Sequence, residues 1–170
     1  MNTFKFSQKN PQLLVKVPRS KLKKYITEWG WNKLISGGKG EFIEDMVIDY
    51  IVSSGKFPRI VRSGKTSSCD FHLRSDSRYR IDIRRLSGSK NKSKNLSLWL
   101  GYTSIGKKEE PWTYKAFYLK RGGYLAVHFT KKDMRIVYFP ATFLRNNYRS
   151  YNNYMSYEYM HEYFFPETVS

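Results

Sequence analysis

The chain has 170 residues, enough for one domain with a sizeable core and too few for several. Its 31 Lys and Arg residues against 14 Asp and Glu give a formal net charge of +17, which points to a polyanionic partner. Apolar residues make up 40% of the chain, so extensive disorder is excluded. No stretch reaches the roughly 18 apolar residues of a membrane-spanning helix, and no secretory signal is recognisable, so we expect no membrane association. The single cysteine, Cys69, excludes an internal disulfide and a cysteine zinc cluster and is typical of a cytoplasmic protein.

The first third of the chain predicts two helices. Residues 1–18 are expected to be irregular or extended, and apolar residues then recur at helical spacing over residues 19–34. Residues 36–40 contain three glycines and predict a flexible break. From Glu41 the apolar positions again follow a helical period, and Gly55 is expected to end this second helix.

Beyond Gly55 the pattern changes to short strands separated by polar turns. Strands are predicted at residues 59–62, 70–74, 79–86, 96–102, 124–129 and 135–139. The run 124–129 is almost continuously apolar, which favours a central position in the sheet. A helix followed by three strands and then further strands predicts a single α/β (α+β) domain around one central mixed sheet flanked by helices. We divide it into a basic N-terminal extension with a helix (1–37), a core (38–145) and a Tyr/Asn-rich C-terminal tail (146–170) that belongs to the same domain or to an interface.

Three carboxylates recur at intervals that a helix and a strand hairpin can bring together. Glu44 lies about one turn into the second helix, Asp70 begins a strand and Asp82 lies in the next strand. If these strands pair in antiparallel fashion, the two aspartates face each other with about 4.5–5.5 Å between their Cβ atoms. Mg²⁺ is commonly held by one or two carboxylates together with phosphate oxygens and water, so the spacing favours metal-dependent phosphodiester hydrolysis. Each residue also has a structural interpretation: a solvated helix residue, a turn residue and a salt-bridge partner of neighbouring arginines.

The ordered series of motifs resembles a known nuclease family. It comprises Lys39-Gly40 followed by Glu44, a helix to Gly55, Arg62-Ser63-Gly64, a polar loop before Asp70, and strands resembling Gly123–Val127 and Val137–Pro140. Over residues 38–145 this series resembles the PD-(D/E)xK nuclease superfamily, notably group I intron or free-standing homing endonucleases and, as an alternative, archaeal Holliday-junction resolvases. The resemblance implies a restriction-endonuclease-like core and Mg²⁺-dependent cleavage of double-stranded DNA, with Mn²⁺ able to substitute, in a bacterial, archaeal or phage-infected cell.

The resemblance also implies roles for individual residues. Asp70, Asp82 and Glu44 are the implied metal ligands and catalytic acids. The family's Glu-x-Lys is replaced by Asp82-Ile83-Arg84, which shortens the ligand by one methylene group. The Arg84 guanidinium stays protonated and cannot act as a base, although it can neutralise charge in the transition state. Cys69 replaces the family's proline before Asp70 and is expected to be a small buried residue.

Basic residues outside this constellation are expected to contact the phosphate backbone and make binding dependent on salt. The expected contacts are Lys21, Lys23, Lys24, Lys65, Lys90, Lys92 and Lys94, with Lys107 and Lys108 as further candidates. The Tyr-rich tail can stack on bases or pack between subunits, which favours a possible homodimer. Two other functions stay open: a non-catalytic DNA- or RNA-binding protein on the same fold, and a subunit that nicks DNA only within a recombination complex.

Overall fold

The structure, a computed structural model, describes residues 9–35, 43–64, 69–88, 96–102, 122–147, 149–151, 154–158 and 160–168. The strands are β1 (Gln12–Pro18), β2 (Ile60–Arg62), β3 (Phe71–Leu73), β4 (Arg80–Arg85), β5 (Ser87–Gly88), β6 (Leu96–Tyr102), β7 (Gly122–Phe129), β8 (Asp133–Pro140), β9 (Arg149–Tyr151) and β10 (Tyr154–Glu158). The α-helices are α1 (Glu28–Ile35), α2 (Ile43–Ser54) and two short helices at Ala141–Asn147 and His161–Phe164. Short 3₁₀ turns occupy Arg19–Leu22 and Pro166–Thr168. This mixture confirms the predicted α/β (α+β) class, and none of the described helices is long and apolar enough to cross a lipid bilayer.

The main sheet has six strands in the order β1-β8-β7-β4-β3-β2. Strands β2, β3 and β4 form an antiparallel meander, β4 and β7 are parallel, and β8 pairs in antiparallel fashion with both β7 and β1. The predicted central position of the apolar run 124–129 is confirmed because β7 lies inside the sheet. Part of the predicted extended lead is the edge strand β1.

Two glycines allow β7 to begin beside β4. Gly122 has a φ of +136°, and a Cβ atom built on it would lie 1.9 Å from the carbonyl oxygen of Arg80. A Cβ atom on Gly123 would lie 2.4 Å from the carbonyl oxygen of Phe139. Side chains at these positions would force the strands apart, which explains why the sequence has Gly-Gly at the start of an otherwise apolar strand.

Apolar side chains cover the main sheet on both faces. On one face, α1 and α2 pack on residues that include Phe71, Ile81, Ile83 and Leu125. On the other face, the two short helices and Met160 pack on Tyr124, Ala126, Val137 and Phe139. The alternation predicted within the strand around Ile81 and Ile83 therefore separates two cores, which we call the first core and the second core.

A second sheet departs from the single mixed sheet that the sequence predicts. It has four strands in the order β5-β6-β10-β9 and takes in part of the Tyr/Asn-rich tail. The prediction of a single sheet fails because the sequence pattern of residues 96–102 and of residues 154–158 does not show which strand each one pairs with. The two segments are far apart in the chain, and only the structure shows that they pair in antiparallel fashion. The tail then supplies Met160 and Phe164 to the second core.

The helix predicted over residues 19–34 is wrong as a single element, whereas the next helix is confirmed. The chain forms a 3₁₀ turn, and α1 starts only after Thr27, whose Oγ1 accepts a hydrogen bond from the Gly30 N–H at 3.1 Å. The helix therefore begins at Glu28 and does not continue from the 3₁₀ turn, and Trp29, expected on the apolar face, is 72% exposed. Helix α2 follows the predicted period and ends before Gly55, which has a φ of +66°. The predicted glycine-rich break at 36–40 lies outside the described residues.

Candidate functional site

Asp70 and Asp82 lie side by side at one end of the β3–β4 hairpin. The register pairs Phe71 with Ile81, so Asp70 is opposite Asp82 one step further along. The backbone N–H of Asp70 donates to Asp82 Oδ1 at 3.2 Å, and the N–H of Ile83 donates to Asp70 Oδ2 at 2.8 Å. The turn between the strands is held by Asp76, whose Oδ1 accepts the Arg78 N–H at 3.0 Å. The structure thus brings together the two aspartates that the sequence predicts to face each other.

Asp82 is a buried carboxyl group in an unfavourable electrostatic position. It is 7% exposed, and its neighbours in register on β7 belong to the second core. Burial, the adjacent Asp70 charge and a hydrogen bond between the two carboxyl groups raise the pKa of Asp82 to about 7, against the opposing charge of Arg84. Desolvation disfavours the charged form, and a like charge nearby adds to that effect. The Asp70–Asp82 pair therefore still binds a proton near neutral pH.

Arg84 is the cation of this site. Its Nη2 atom is 3.5 Å from Asp82 Oδ2, and its guanidinium lies over the ring of Tyr124 with 5.8 Å to the centroid. Asp82 and Arg84 on β4 alternate with Ile81 and Ile83 and therefore project to the face that carries the second core, as does Leu86 just after the strand. The charge of Arg84 lowers the pKa of Asp82 but does not offset the larger effect of burial and the added effect of the Asp70 charge, so this pKa stays raised.

Glu44 approaches the pair from the first turn of α2. Its side chain is exposed, yet partial burial and the charge of Asp70 raise its pKa, with Asp45 adding to the rise and Arg84 opposing it. These mutual effects mean that Glu44 lies within electrostatic range of both Asp70 and Arg84. Direct contacts join the other three residues that the sequence marks as catalytic: Asp70 to Asp82, and Asp82 to Arg84.

The same four residues supply only part of a metal coordination shell. Within the described segments, no group of three or more His, Cys, Asp or Glu residues is arranged to hold a metal ion. The three-carboxylate ligand set implied by the family resemblance is thus not assembled there. Asp70 and Asp82 can contribute two oxygen ligands, a number that Mg²⁺ accepts when phosphate oxygens and water complete its octahedron.

Arginines are concentrated in the β2–β4 segment that carries this pair, which the lysine-based prediction does not indicate. Residues 59–64 and 69–85 contain seven arginines and three aspartates. Four of these arginines are exposed: Arg59, Arg62, Arg74 and Arg78. Their clustering was visible in the sequence as the excess of arginine between residues 59 and 85, although only Arg84 was assigned a role. Exposed guanidinium groups suit phosphate contacts because they donate in a planar fork.

The described lysines that are predicted to contact DNA line two cavities. Lys21 and Lys24 line a cavity of about 500 Å³ with Lys16 and Lys56, which carried no sequence signal. Lys23 lines a neighbouring cavity that includes Arg19. The remaining lysines expected to bind DNA lie outside the described residues: Lys65, Lys90, Lys92, Lys94, Lys107 and Lys108.

Two residues close to Asp70 in the sequence, Cys69 and His72, contact other parts of the protein. Cys69 is buried, with its thiol sulfur 3.3 Å from Ser63 Oγ, which confirms the prediction of a small buried residue. His72 shares the strand with Asp70, and its Nδ1 atom is 2.8 Å from the carbonyl oxygen of Leu73.

Comparisons with models of protein families, with curated proteins and with solved structures returned no significant match to this chain. The candidate site is therefore defined by its own chemistry: a strained carboxyl pair, a third carboxyl group on the adjoining helix and one guanidinium, within an arginine-rich sheet edge.

Proposed function

We propose that this protein is a metal-dependent DNA endonuclease of the PD-(D/E)xK type, most similar in kind to homing endonucleases. The observation that carries the proposal is the Asp70–Asp82 pair, in which a buried carboxyl group with a pKa near 7 adjoins a second carboxyl group. Strongly perturbed acids on adjacent strands are typical of catalytic sites. A divalent cation bound by both groups removes their repulsion, so the pair is suited to a metal.

The order of elements around the pair also supports this proposal. Helix α2 carries Glu44, the β2–β4 meander carries Asp70 and Asp82, and β7 adds a parallel strand beside β4. This is the order in which the resembled family places its helix, its acidic hairpin and its following strand. The arginine-rich edge and the net charge of +17 favour a phosphodiester polyanion as the substrate.

Each residue has a role that its position permits. Asp70 and Asp82 would hold Mg²⁺ or Mn²⁺, which supplies Lewis-acid polarisation of the phosphate and a more acidic bound water. The exposed carboxylate of Glu44 orients the attacking water or accepts its proton. Arg84 remains charged, so it serves to stabilise negative charge on the phosphate and not as the base.

Cleavage of supercoiled plasmid and of a synthetic four-way junction tests the proposal. The wild-type protein is expected to cut in Mg²⁺ or Mn²⁺ and not in EDTA, and Asp82→Asn is expected to lower the rate at least about 10³-fold. Asp49→Asn, which makes the same chemical change at an exposed position on α2, serves as the matched control and is expected to cut normally. Preference for plasmid or junction separates homing-type from resolvase-type activity. Absence of metal-dependent cleavage on both substrates, or full activity of Asp82→Asn, would contradict the nuclease assignment.

Two observations favour a second candidate, a non-catalytic DNA- or RNA-binding protein. Asp82 is already paired with Arg84, and the described residues contain no three-ligand metal group. Under this alternative Asp82 repels phosphate, so Asp82→Asn is expected to bind duplex DNA more tightly than wild type in EDTA. A nuclease whose Asp82 binds metal also gains some affinity in EDTA, but only the nuclease loses metal-dependent cutting.

A further inference from the structure

Helix α1 carries an exposed tryptophan that has no part in the candidate site. Trp29 is 72% exposed, whereas Trp31, two residues further on, is buried and packs edge-on against Phe129. Its neighbours on the exposed side of the helix are polar: Glu28, Asn32 and Lys33. The ring is therefore not part of an apolar patch of the size that a protein partner or a bilayer covers. A single flat partner that stacks on the indole suits it better.

The backbone that carries Trp29 is held to the main sheet at two points. The indole N–H of Trp31 donates to the carbonyl oxygen of Thr130 at 3.0 Å, just beyond β7. The guanidinium of Arg85 on β4 donates to the carbonyl oxygen of Leu34 at 2.7 Å, near the end of α1. A side chain on a fixed helix has little backbone freedom to lose when it binds, so Trp29 is preorganised for a ligand.

A cation lies over one face of the exposed ring. The Nζ atom of Lys33, one turn further along α1, is 4.8 Å from the ring centroid of Trp29. This contact is a cation–π interaction, which helps to fix the ring. Because Trp29 is 72% exposed, the opposite face of the ring is open to a planar group, and the ammonium group of Lys33 lies where it can meet an anion attached to that group.

Basic side chains exceed acidic ones around the start of α1. A cavity of about 520 Å³ there has one acidic residue in its lining, Glu28, beside two basic residues, Arg19 and Lys23. The Arg19 N–H donates to the carbonyl oxygen of Lys132 at 2.8 Å, so the exposed lysine pair 131–132 lies next to the cavity. A planar group with phosphates attached fits both the ring and this charge, which describes a nucleotide of a nucleic acid.

The register of the main sheet places Trp29 at a distance from the carboxyl pair. Asp82 pairs with Tyr124 on β7, and Thr130, which anchors Trp31, lies six residues beyond Tyr124. At about 3.3 Å per residue, this separation is about 20 Å along the sheet. It corresponds to about six nucleotides at about 3.4 Å each, so a nucleotide on Trp29 is not the one that faces the carboxyl pair.

We propose that Trp29 stacks on an unpaired base of the bound nucleic acid, about six nucleotides from the phosphate that faces Asp70 and Asp82. The inference rests on the proposed function in taking a nucleic acid as the partner, and it adds a contact to a base where the charged residues supply contacts to phosphates. Every base has a π face, so this contact favours unpaired nucleotides without reading their sequence. Bases are unpaired in single strands and wherever a duplex is opened.

Binding of single strands in EDTA tests this proposal without any cleavage. The probes are a thymidine oligomer of about 12 nucleotides and an oligomer of equal length whose sugar–phosphate backbone carries no bases. Wild type is expected to bind the thymidine oligomer more tightly, and Trp29→Ala is expected to lower this preference about tenfold, with unchanged affinity for the abasic backbone. Trp29→Phe keeps a ring and is expected to retain most of the preference. The matched control Val52→Ala truncates an apolar residue that is 58% exposed on α2 and is expected to retain all of it.

Fluorescence reports contact at the ring itself. The chain has four tryptophans, and the difference between wild type and Trp29→Phe isolates the emission of Trp29. The thymidine oligomer is expected to quench this emission and to shield it from acrylamide, whereas the abasic oligomer is expected to leave the ring accessible. Thermal melting checks that the variants fold, which we expect because the substituted side chains are exposed.

Three results would overturn the inference. They are no preference of wild type for the thymidine oligomer, an unchanged preference in Trp29→Ala, or Trp29 emission that the thymidine oligomer does not alter. An unchanged preference together with a lower mass of Trp29→Ala in light scattering would assign the ring to an interface between copies of the chain. Because cleavage is not measured, a protein that stacks bases on Trp29 and cuts neither plasmid nor junction refutes the nuclease proposal and leaves the assignment of Trp29 intact.

Discussion

Two carboxylate–arginine clusters lie on the main sheet, and the pKa values of their buried aspartates are shifted in opposite directions. At the β3–β4 end, the Arg84 guanidinium is 3.5 Å from Asp82, which adjoins Asp70, and the pKa of Asp82 is raised to about 7. At the far end of β8, Arg135 donates from Nε and Nη2 to the two carboxylate oxygens of Asp133, each at 3.2 Å. Burial alone would raise the pKa of Asp133, but hydrogen bonds from Arg135 and Thr130 lower it.

The difference lies in how completely each charge is paired. Arg135 also donates to the carbonyl oxygen of Phe164 at 2.7 Å and to Glu167 at 2.6 Å, and it lies 4.2 Å from the Phe165 ring centroid. This cluster ties the C-terminal segment to the sheet and leaves its charges satisfied. The Asp70–Asp82 cluster holds an excess of negative charge in a buried position. Excess charge of this kind costs stability and is kept where it serves binding or catalysis.

The largest expected loss of stability comes from breaking the cluster of Arg135, Asp133 and Glu167, which we call the satisfied cluster. Arg135→Met leaves Asp133 buried without its bidentate partner, and we expect the free energy of unfolding to fall by about 3–5 kcal/mol. The matched substitution Arg84→Met removes a less buried guanidinium from a looser contact and is expected to cost about 1 kcal/mol or less. Urea unfolding of both variants measures the contrast. Equal losses would show that the two clusters are alike in their contribution to stability.

The second effect, a gain in stability, is expected at the cluster of Asp70, Asp82 and Arg84. The folded pKa of Asp82, about 7, exceeds its ordinary value of 3.8, so between these values the folded state binds more protons and stability falls as pH rises. Asp82→Asn removes this penalty and keeps an acceptor for the Asp70 N–H. In EDTA, we expect the variant to match wild type near pH 4 and to exceed it by on the order of 4 kcal/mol at pH 8.

Asp133→Asn provides the control for that measurement. Its carboxylate is stabilised by Arg135, so the same chemical change is expected to destabilise the protein by about 2 kcal/mol at pH 8. If Asp82→Asn also lost stability as pH rises, the raised pKa of the pair would be refuted.

The smallest expected effect concerns His128, which lies edge-on to Phe164 and Phe165 beside the satisfied cluster. Burial, with the charges of Arg135, His161 and Arg85, lowers its pKa to about 4, against the opposing charge of Asp133. The unfolded state then binds the extra proton below about pH 6.5, so stability is lost as pH falls towards 4. In the Asp82→Asn background, we expect a loss of about 2 kcal/mol between pH 7 and pH 5. Introducing His128→Gln is expected to flatten this dependence, and an unchanged slope would place its origin elsewhere.

Much of the candidate site was predictable because it is built from neighbouring elements. A three-residue polar turn between two apolar strands predicts the β3–β4 hairpin, and the hairpin register alone sets Asp70 opposite Asp82. The helical period of α2 and Gly55 at its end likewise predict where Glu44 lies on the helix. What could not be predicted was the burial of Asp82, because it depends on the second core on that face of the sheet, to which residues of β7 and of the C-terminal segment contribute.

The sequence by itself determined the class of fold, helix α2, the main-sheet strands β2, β3, β4, β7 and β8, and the carboxyl pair, since periodicity and turn residues act over a few positions. Only the tertiary structure decided that residues 19–34 form two elements and that part of the tail forms a second sheet. It also decided that lysines from β1, the 3₁₀ turn and the end of α2 line one cavity, and that Arg135 contacts Glu167, 32 residues away. The physical reason is the same in each case: local patterns record which side chains are apolar, whereas packing between distant segments determines which surfaces meet and which charges are left to face one another.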